Sequence, residues 1–106
     1  MSDNKRDADD IDREDIAILY ANRGLAYAQK NEMVKAIADY NQAIWLDPTL
    51  PATHNNRGEA YIRIGLYRQA IDDFDRELEL NPNDANAYAN RVLAMQLSQN
   101  GQCSDR

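Results

Sequence analysis

Asn22-Arg23-Gly24-Leu25-Ala26-Tyr27 returns 34 residues later as Asn56-Arg57-Gly58-Glu59-Ala60-Tyr61. The same displacement carries Ala36-Ile37 onto Ala70-Ile71, Asp39-Tyr40 onto Asp73-Phe74, and Leu46-Asp47-Pro48 onto Leu80-Asn81-Pro82. A third copy opens with Asn90-Arg91 and stops. Self-similarity at one fixed period marks a repeat architecture, in which each unit buries its apolar face only by stacking on its neighbours. Function in such a molecule is sought on a repeated surface before a catalytic cleft.

Within each copy the apolar positions follow the helical period. Ile16, Leu19, Tyr20, Arg23, Gly24 and Tyr27 form one stripe of a first helix that runs from about Glu14 to Lys30-Asn31. A second helix spans about Met33 to Leu46, with Ile37, Tyr40, Ala43 and Ile44 on its inner face. It stops at Asp47-Pro48, because proline disfavours helical geometry in the residue before it. The pair repeats as about Ala52–Ile64, a turn at Gly65, and about Tyr67–Leu80 closed by Asn81-Pro82. A fifth helix, about Ala85 to Ser98, starts after the capping residues Asn83-Asp84. The expected organisation is an acidic, flexible leader (1–13), a repeat domain (14–99) and a polar, frayed tail (100–106).

Composition narrows the function classes. A chain of 106 residues makes one small domain with a thin core. The formal charge of -6 argues against nucleic acid as a partner, since phosphate binding needs a cationic face. The lone Cys103 excludes an internal disulfide, and one histidine with one cysteine cannot build a typical zinc site. No metal or cofactor is therefore expected. The polar, acidic N-terminus shows neither a signal peptide nor a membrane span, which makes a cytoplasmic protein the default. No nucleophile–base pair, metal cluster or phosphate loop can be found, so a non-enzyme is expected.

The residues of the repeat resemble the tetratricopeptide repeat. Gly24, Tyr27, Ala36, Tyr40, Ala43 and Pro48 match its pattern in the first unit, and Gly58, Tyr61, Ala70, Phe74 and Pro82 in the second. The small residues let two antiparallel helices approach closely, and the aromatics fill the wider gaps beside them. The resemblance covers roughly Ala17 to Ser98, with repeats at about 17–50 and 51–84 and a capping helix at about 85–98. It implies an all-α, right-handed superhelical solenoid of antiparallel helix pairs, five helices in all. It also implies a protein–protein interaction scaffold that binds an extended peptide or a helix in the groove of the first helices.

Three departures from the pattern are informative. In the third unit Val92 replaces the close-contact glycine and Met95 the aromatic, and no second helix follows. The fifth helix thus reads as a cap on the fourth, with Tyr88, Val92 and Met95 in a stripe that nothing in the sequence covers. A second copy, part of a longer chain, or the C-terminal tail are the candidate covers. In the second unit His54 and Glu77 replace Tyr20 and Ala43. Either the imidazole meets the carboxylate in the inter-helix seam, which would raise the histidine pKa, or His54 packs edge-on while Glu77 reaches solvent. Finally, Trp45 stands where a solvated residue is usual; it either packs locally against Leu50 and the following loop or makes an intermolecular contact.

The binding candidates line the inner groove. Asn22, Asn56 and Asn90 recur once per first helix, and the resemblance places them on the concave face. An amide both donates and accepts, so such a ladder can hold the main chain of an extended peptide. Asn55 lies beside them, with Leu25, Glu59 and Leu93 one turn on and Ile62 and Arg63 continuing the surface. Some members of the family grip a chaperone's C-terminal carboxylate with basic side chains. The matching positions here are Ala21, Leu25, Asn56, Asn86 and Asn90, of which only Asn56 fits, so that clamp is not expected. Arg23, Arg57 and Arg91 recur and are assigned to structure, each pairing with a recurring acid such as Asp39 or Asp73. The alternative function is an assembly module or a segment of a longer array, associating through Tyr88, Val92, Met95 and Trp45. The expected partners are a protein or peptide, with a homo-oligomer as the alternative, and neither nucleic acid nor membrane.

Overall fold

The computed structural model describes residues 12–104. Five helices follow one another: α1 (Arg13–Gln29), α2 (Met33–Leu46), α3 (Thr53–Arg63), α4 (Tyr67–Leu80) and α5 (Ala85–Ser104), with no strand among the described residues. Each helix packs on the next, and α3 also touches α1 and α5. The result is an all-α helical solenoid. The acidic leader, apart from its last two residues, lies outside the described residues.

The turns explain why the period holds. Within each unit the first helix ends in a Schellman motif whose C′ residue has positive φ, Asn31 at 65° and Gly65 at 83°. At the first turn Glu32 N–H donates to Tyr27 O and Asn31 N–H to Ala28 O; at the second, Leu66 and Gly65 repeat these bonds to Tyr61 and Ile62. Asparagine and glycine are the residues that enter this left-handed region most cheaply, so two different letters make one turn. Between units, Asp47 and Asn81 are extended, as residues before proline should be, and release the chain for the next helix. Asp84 caps α5 by accepting from Ala87 N–H at 3.1 Å.

Two interlocked clusters form the core. Met33, Ala36, Tyr40 and Ala60 make the first, and Ala70, Phe74 and Ala94 the second. Each joins a second helix to the first helix of the following unit, which is how stacking stabilises neighbours. Gly24 and Gly58 are buried against Tyr40 and Phe74, as the pattern implies. The Tyr40 ring is covered enough that burial, with Glu59 and Asp39 adding to it, pushes its hydroxyl pKa up to about 12. On α2 the buried residues are Met33, Ala36, Asp39, Tyr40 and Ala43, whereas Ile37 and Ile44 are only half-buried.

Several expectations need correction. Leu19 is not part of a covered stripe: it is 66% exposed, and the buried apolar residue at the start of α1 is Ala17. Helix α5 continues past Ser98 to Ser104, although a frayed tail is expected from Asn100. No proline interrupts it, and Gly101 costs only about 1 kcal/mol relative to alanine inside a helix. Residues 100–104 extend the helix axis and do not fold back over the Tyr88–Met95 stripe. Trp45, read either as packed locally on Leu50 and the following loop or as an intermolecular contact, is 70% exposed with the guanidinium of Arg13 over its ring at 5.3 Å. His54 and Glu77 are both buried, so Glu77 does not reach solvent. They are not hydrogen-bonded to each other. His54 Nε2 donates to Pro48 O at 2.9 Å and Nδ1 faces Asp73 at 3.7 Å, while Glu77 bonds Asp84.

Candidate functional site

The first helices α1, α3 and α5 bring the groove residues onto one face. Between α1 and α3 lies a hollow of about 220 Å³ with Ile18, Leu25 and Pro51 as apolar walls and Asn22 and Asn56 at its polar edge. Between α3 and α5 lies a second, of about 290 Å³, lined by Glu59, Ile62, Arg63, Asn90 and Leu93. Neither the Asn22 nor the Asn56 side-chain amide makes a hydrogen bond among the described residues. Arg63 is exposed and likewise forms no ion pair there, so it is the cation the second hollow presents. No charged side chain lines the first hollow.

The third asparagine differs from the other two. Asn90 Nδ2 donates to Glu59 Oε2 at 3.0 Å and to Asn55 Oδ1 at 3.3 Å, and Asn55 Nδ2 donates to Glu59 Oε2 at 3.4 Å. These three side chains tie α5 to α3. Asn55 is only 8% exposed and belongs to this brace more than to the open groove. The amide ladder is therefore open at Asn22 and Asn56 and internally satisfied at Asn90. Ile18 and Pro51 were not among the sequence-derived groove residues. Ile18 stands four residues before Asn22, a spacing that puts both on one helix face, so the signal was present. Pro51 carried none, because its place depends on Ala52 entering the left-handed region at φ 69°.

Behind the groove runs a ladder of arginines. Arg23 clasps Asp39 through Nε and Nη2 at 2.7 and 2.9 Å, and Arg57 clasps Asp73 in the same way at 2.8 and 2.6 Å. Such two-pronged pairs are the strong ones. The Asp39 bond raises the Arg23 pKa; at Arg57 burial works to lower it, and the bond to Asp73 together with the charges of Asp73 and Tyr61 outweighs that. Arg57 also reaches back, donating through Nη1 to Asn41 Oδ1 at 2.7 Å. Arg91, lacking a second helix of its own, pairs with Asp75 of α4. On α5, Tyr88 is 61% exposed, and Val92 and Met95 are exposed beside it with no helix packed over them among the described residues.

No group of three or more potential metal-ligating side chains could hold an ion among the described residues, and no helix there is long and apolar enough to cross a membrane. What the geometry defines is a helical-repeat interaction scaffold. Residues 24–65 match the family profile described as TPR repeat, and residues 51–84 the one described as Tetratricopeptide repeat, together more than half of the chain. The chain belongs to the tetratricopeptide-repeat family. Among solved structures, it resembles the first TPR of Spaghetti (RPAP3) bound to the HSP90 peptide SRMEEVD, with 26% identity and a TM-score of 0.79, covering 82% of this chain and 69% of that one. The second TPR of the same protein, bound to the same peptide, shares 25% identity with a TM-score of 0.79 over 82% of this chain and 81% of its own. The Sgt2 TPR domain from Aspergillus fumigatus shares 26% identity with a TM-score of 0.74, over 79% of this chain and 56% of that domain. No curated protein matches the chain.

Proposed function

We propose that the concave face of α1, α3 and α5 binds an extended peptide segment, making the chain a cytoplasmic adaptor without catalytic activity. The observation that carries this reading is the pair of hollows edged by Asn22 and Asn56, two amides with unspent hydrogen-bonding capacity on a rigid scaffold. Asn22 and Asn56 hold the peptide main chain, Leu25 takes an apolar side chain in the first hollow, and Ile62 and Leu93 take another in the second, beside Arg63. Asn55, Glu59 and Asn90 keep α3 and α5 at the spacing this requires. Further support comes from the two RPAP3 domains, which are bound to an HSP90 peptide. The acidic chaperone tail itself fits poorly, because Arg63 stands near Glu59 and the first hollow has no cation.

Panning a random heptapeptide library on the chain, with the selected peptides then measured by fluorescence polarisation, tests the reading. Asn56→Ala is expected to weaken binding by about tenfold, the effect of one lost buried hydrogen bond. Leu25→Glu is expected to abolish it. Peptides that bind both variants as tightly as the wild type would show that the groove is not the site.

A second reading rests on α5, whose Tyr88, Val92 and Met95 stay uncovered on a helix carrying Arg91 as its one charged residue. Self-association through this stripe predicts a concentration-dependent mass by light scattering that Val92→Glu reduces to the monomer.

A further inference from the structure

The back face of α1 is bare where the matching faces of α3 and α5 are covered. Leu19, Thr53 and Ala87 occupy one repeat position, with exposures of 66%, 2% and 0%. Ala26, Ala60 and Ala94 occupy another, exposed in α1 and buried in the other two. In both covered cases the cover is the second helix of the preceding unit. It places an aromatic in the cluster with the alanine, Tyr40 with Ala60 and Phe74 with Ala94. It also places an acid or amide on the arginine between them: Asn41 on Arg57 and Asp75 on Arg91. Arg23 spends Nε and Nη2 on Asp39, as Arg57 does on Asp73, and its Nη1 donates to nothing among the described residues. Beside it, Ile16, Leu19, Tyr20 and Arg23 line an open hollow of about 470 Å³.

We infer that this face docks an amphipathic helix of another polypeptide, one that sets an aspartate or asparagine on Arg23 Nη1 and an aromatic ring over Ala26. The molecule itself contains that complex twice, as α2 on α3 and α4 on α5, so the occupant's chemistry is read from its own interior. The surface is distinct from the peptide groove. It also differs from the open face of α5, which corresponds to the side of α1 and α3 that the second helix of the same unit covers. A second copy of this chain is a poor occupant, because α2 and α4, the helices that carry this chemistry, are already seated on α3 and α5 within it. The unspent Nη1 donor favours a helix that sets a carboxylate or amide acceptor there, on a face whose apolar floor supplies the buried area.

The probe is a synthetic peptide with the sequence of α4, Tyr67–Leu80, titrated into the isotopically labelled full chain and followed by amide NMR. Shifts are expected at Ile16, Leu19, Tyr20, Arg23 and Ala26, and not at Asn22, Asn56 or Tyr88–Met95. Leu19→Glu, at an exposed position that leaves the fold intact, should weaken binding at least tenfold, and so should Asp75→Ala or Phe74→Ala within the peptide. Val92→Glu should leave it unchanged. Absence of binding up to about 1 mM, a threshold of roughly 4 kcal/mol, overturns the inference. So do shifts confined to the groove or to α5. If Leu19→Glu in the free chain moves the amide resonances of residues 1–11, the leader already covers this face and the proposed partner is wrong.

Discussion

A methyl group added at Gly58 would stand 2.6 and 2.7 Å from Cε1 and Cζ of the Phe74 ring. At Gly24 it would meet the Tyr40 ring at 2.8 and 2.9 Å and also the backbone oxygen of Ala36 at 3.2 Å. Gly58→Ala is expected to cost about 1–3 kcal/mol, the usual range for overpacking. Gly24→Ala should cost at least as much, because a carbonyl cannot swing aside as a ring can. Gly65→Ala is a different test. Nothing lies within 4 Å of the added carbon, so only the positive φ opposes it, and a loss of about 1 kcal/mol is expected. Urea denaturation of the three variants checks the order. The arginine ladder gives a second residue-scale prediction. Both acids are buried, so what separates the pairs is the guanidinium: Arg57→Ala leaves Asp73 sealed from water and should cost about 3 kcal/mol, whereas Arg23→Ala removes an exposed guanidinium, opens Asp39 to water and should cost clearly less. Equal losses would mean that burial of the pair does not set its worth.

At the scale of elements, the seat of α5 on α4 depends on a proton. Burial raises the Glu77 pKa above the ordinary carboxylate range. The hydrogen bond to Asp84 and the charge of Asp84 add to this, while the field of His54 and the Asn55 backbone bond work against it. Its Oε1 and the Nδ1 of His54 are buried without hydrogen-bond partners. An acid with a raised folded pKa stabilises the fold fully below its unfolded value, about 4.3, and that contribution is lost as pH rises towards the folded value. Glu77→Gln removes the loss. Its thermal midpoint should exceed that of the wild type at pH 7, and the gap should close near pH 4. A gap that widens in acid would reverse the sign assigned to this group. The 34-residue period made the elements themselves legible, since Gly24, Gly58 and the two Asp/Asn-Pro stops mark helix contacts and ends directly. It could not show that Glu77 turns to Asp84 and not to His54, because those side chains come from a seam whose geometry no spacing encodes. Nor could a helix-period stripe show Leu19 to be bare: periodicity finds an apolar face, and only the neighbouring element decides whether it is covered. The period puts Asn22, Asn56 and Asn90 at equivalent positions but says nothing of their bonding, and Asn90 spends its amide on Glu59.

For the whole molecule, stacking between neighbours governs how the fold opens. α2, α3 and α4 are each packed on both sides, while α1 and α5 have a neighbour in chain order on one side only. In such a quasi-linear array stability is close to a sum of unit and interface terms, so the ends should open at lower free energy than the middle. Native-state hydrogen exchange should therefore find the slowest amides in α2, α3 and α4 and faster ones in α1 and α5. Two variants separate this picture from all-or-none opening. Asp84→Ala removes the α5 cap, worth about 1 kcal/mol, and should speed exchange in α5 while leaving α2 and the α1–α2 turn nearly unchanged. Gly58→Ala strikes the central pair, which both ends lean on, and should lower protection in the slowest amides throughout. If the cap variant instead lowers protection uniformly, the five helices open as one unit, and the bare face of α1 and the uncovered stripe of α5 would be as rigid as the core.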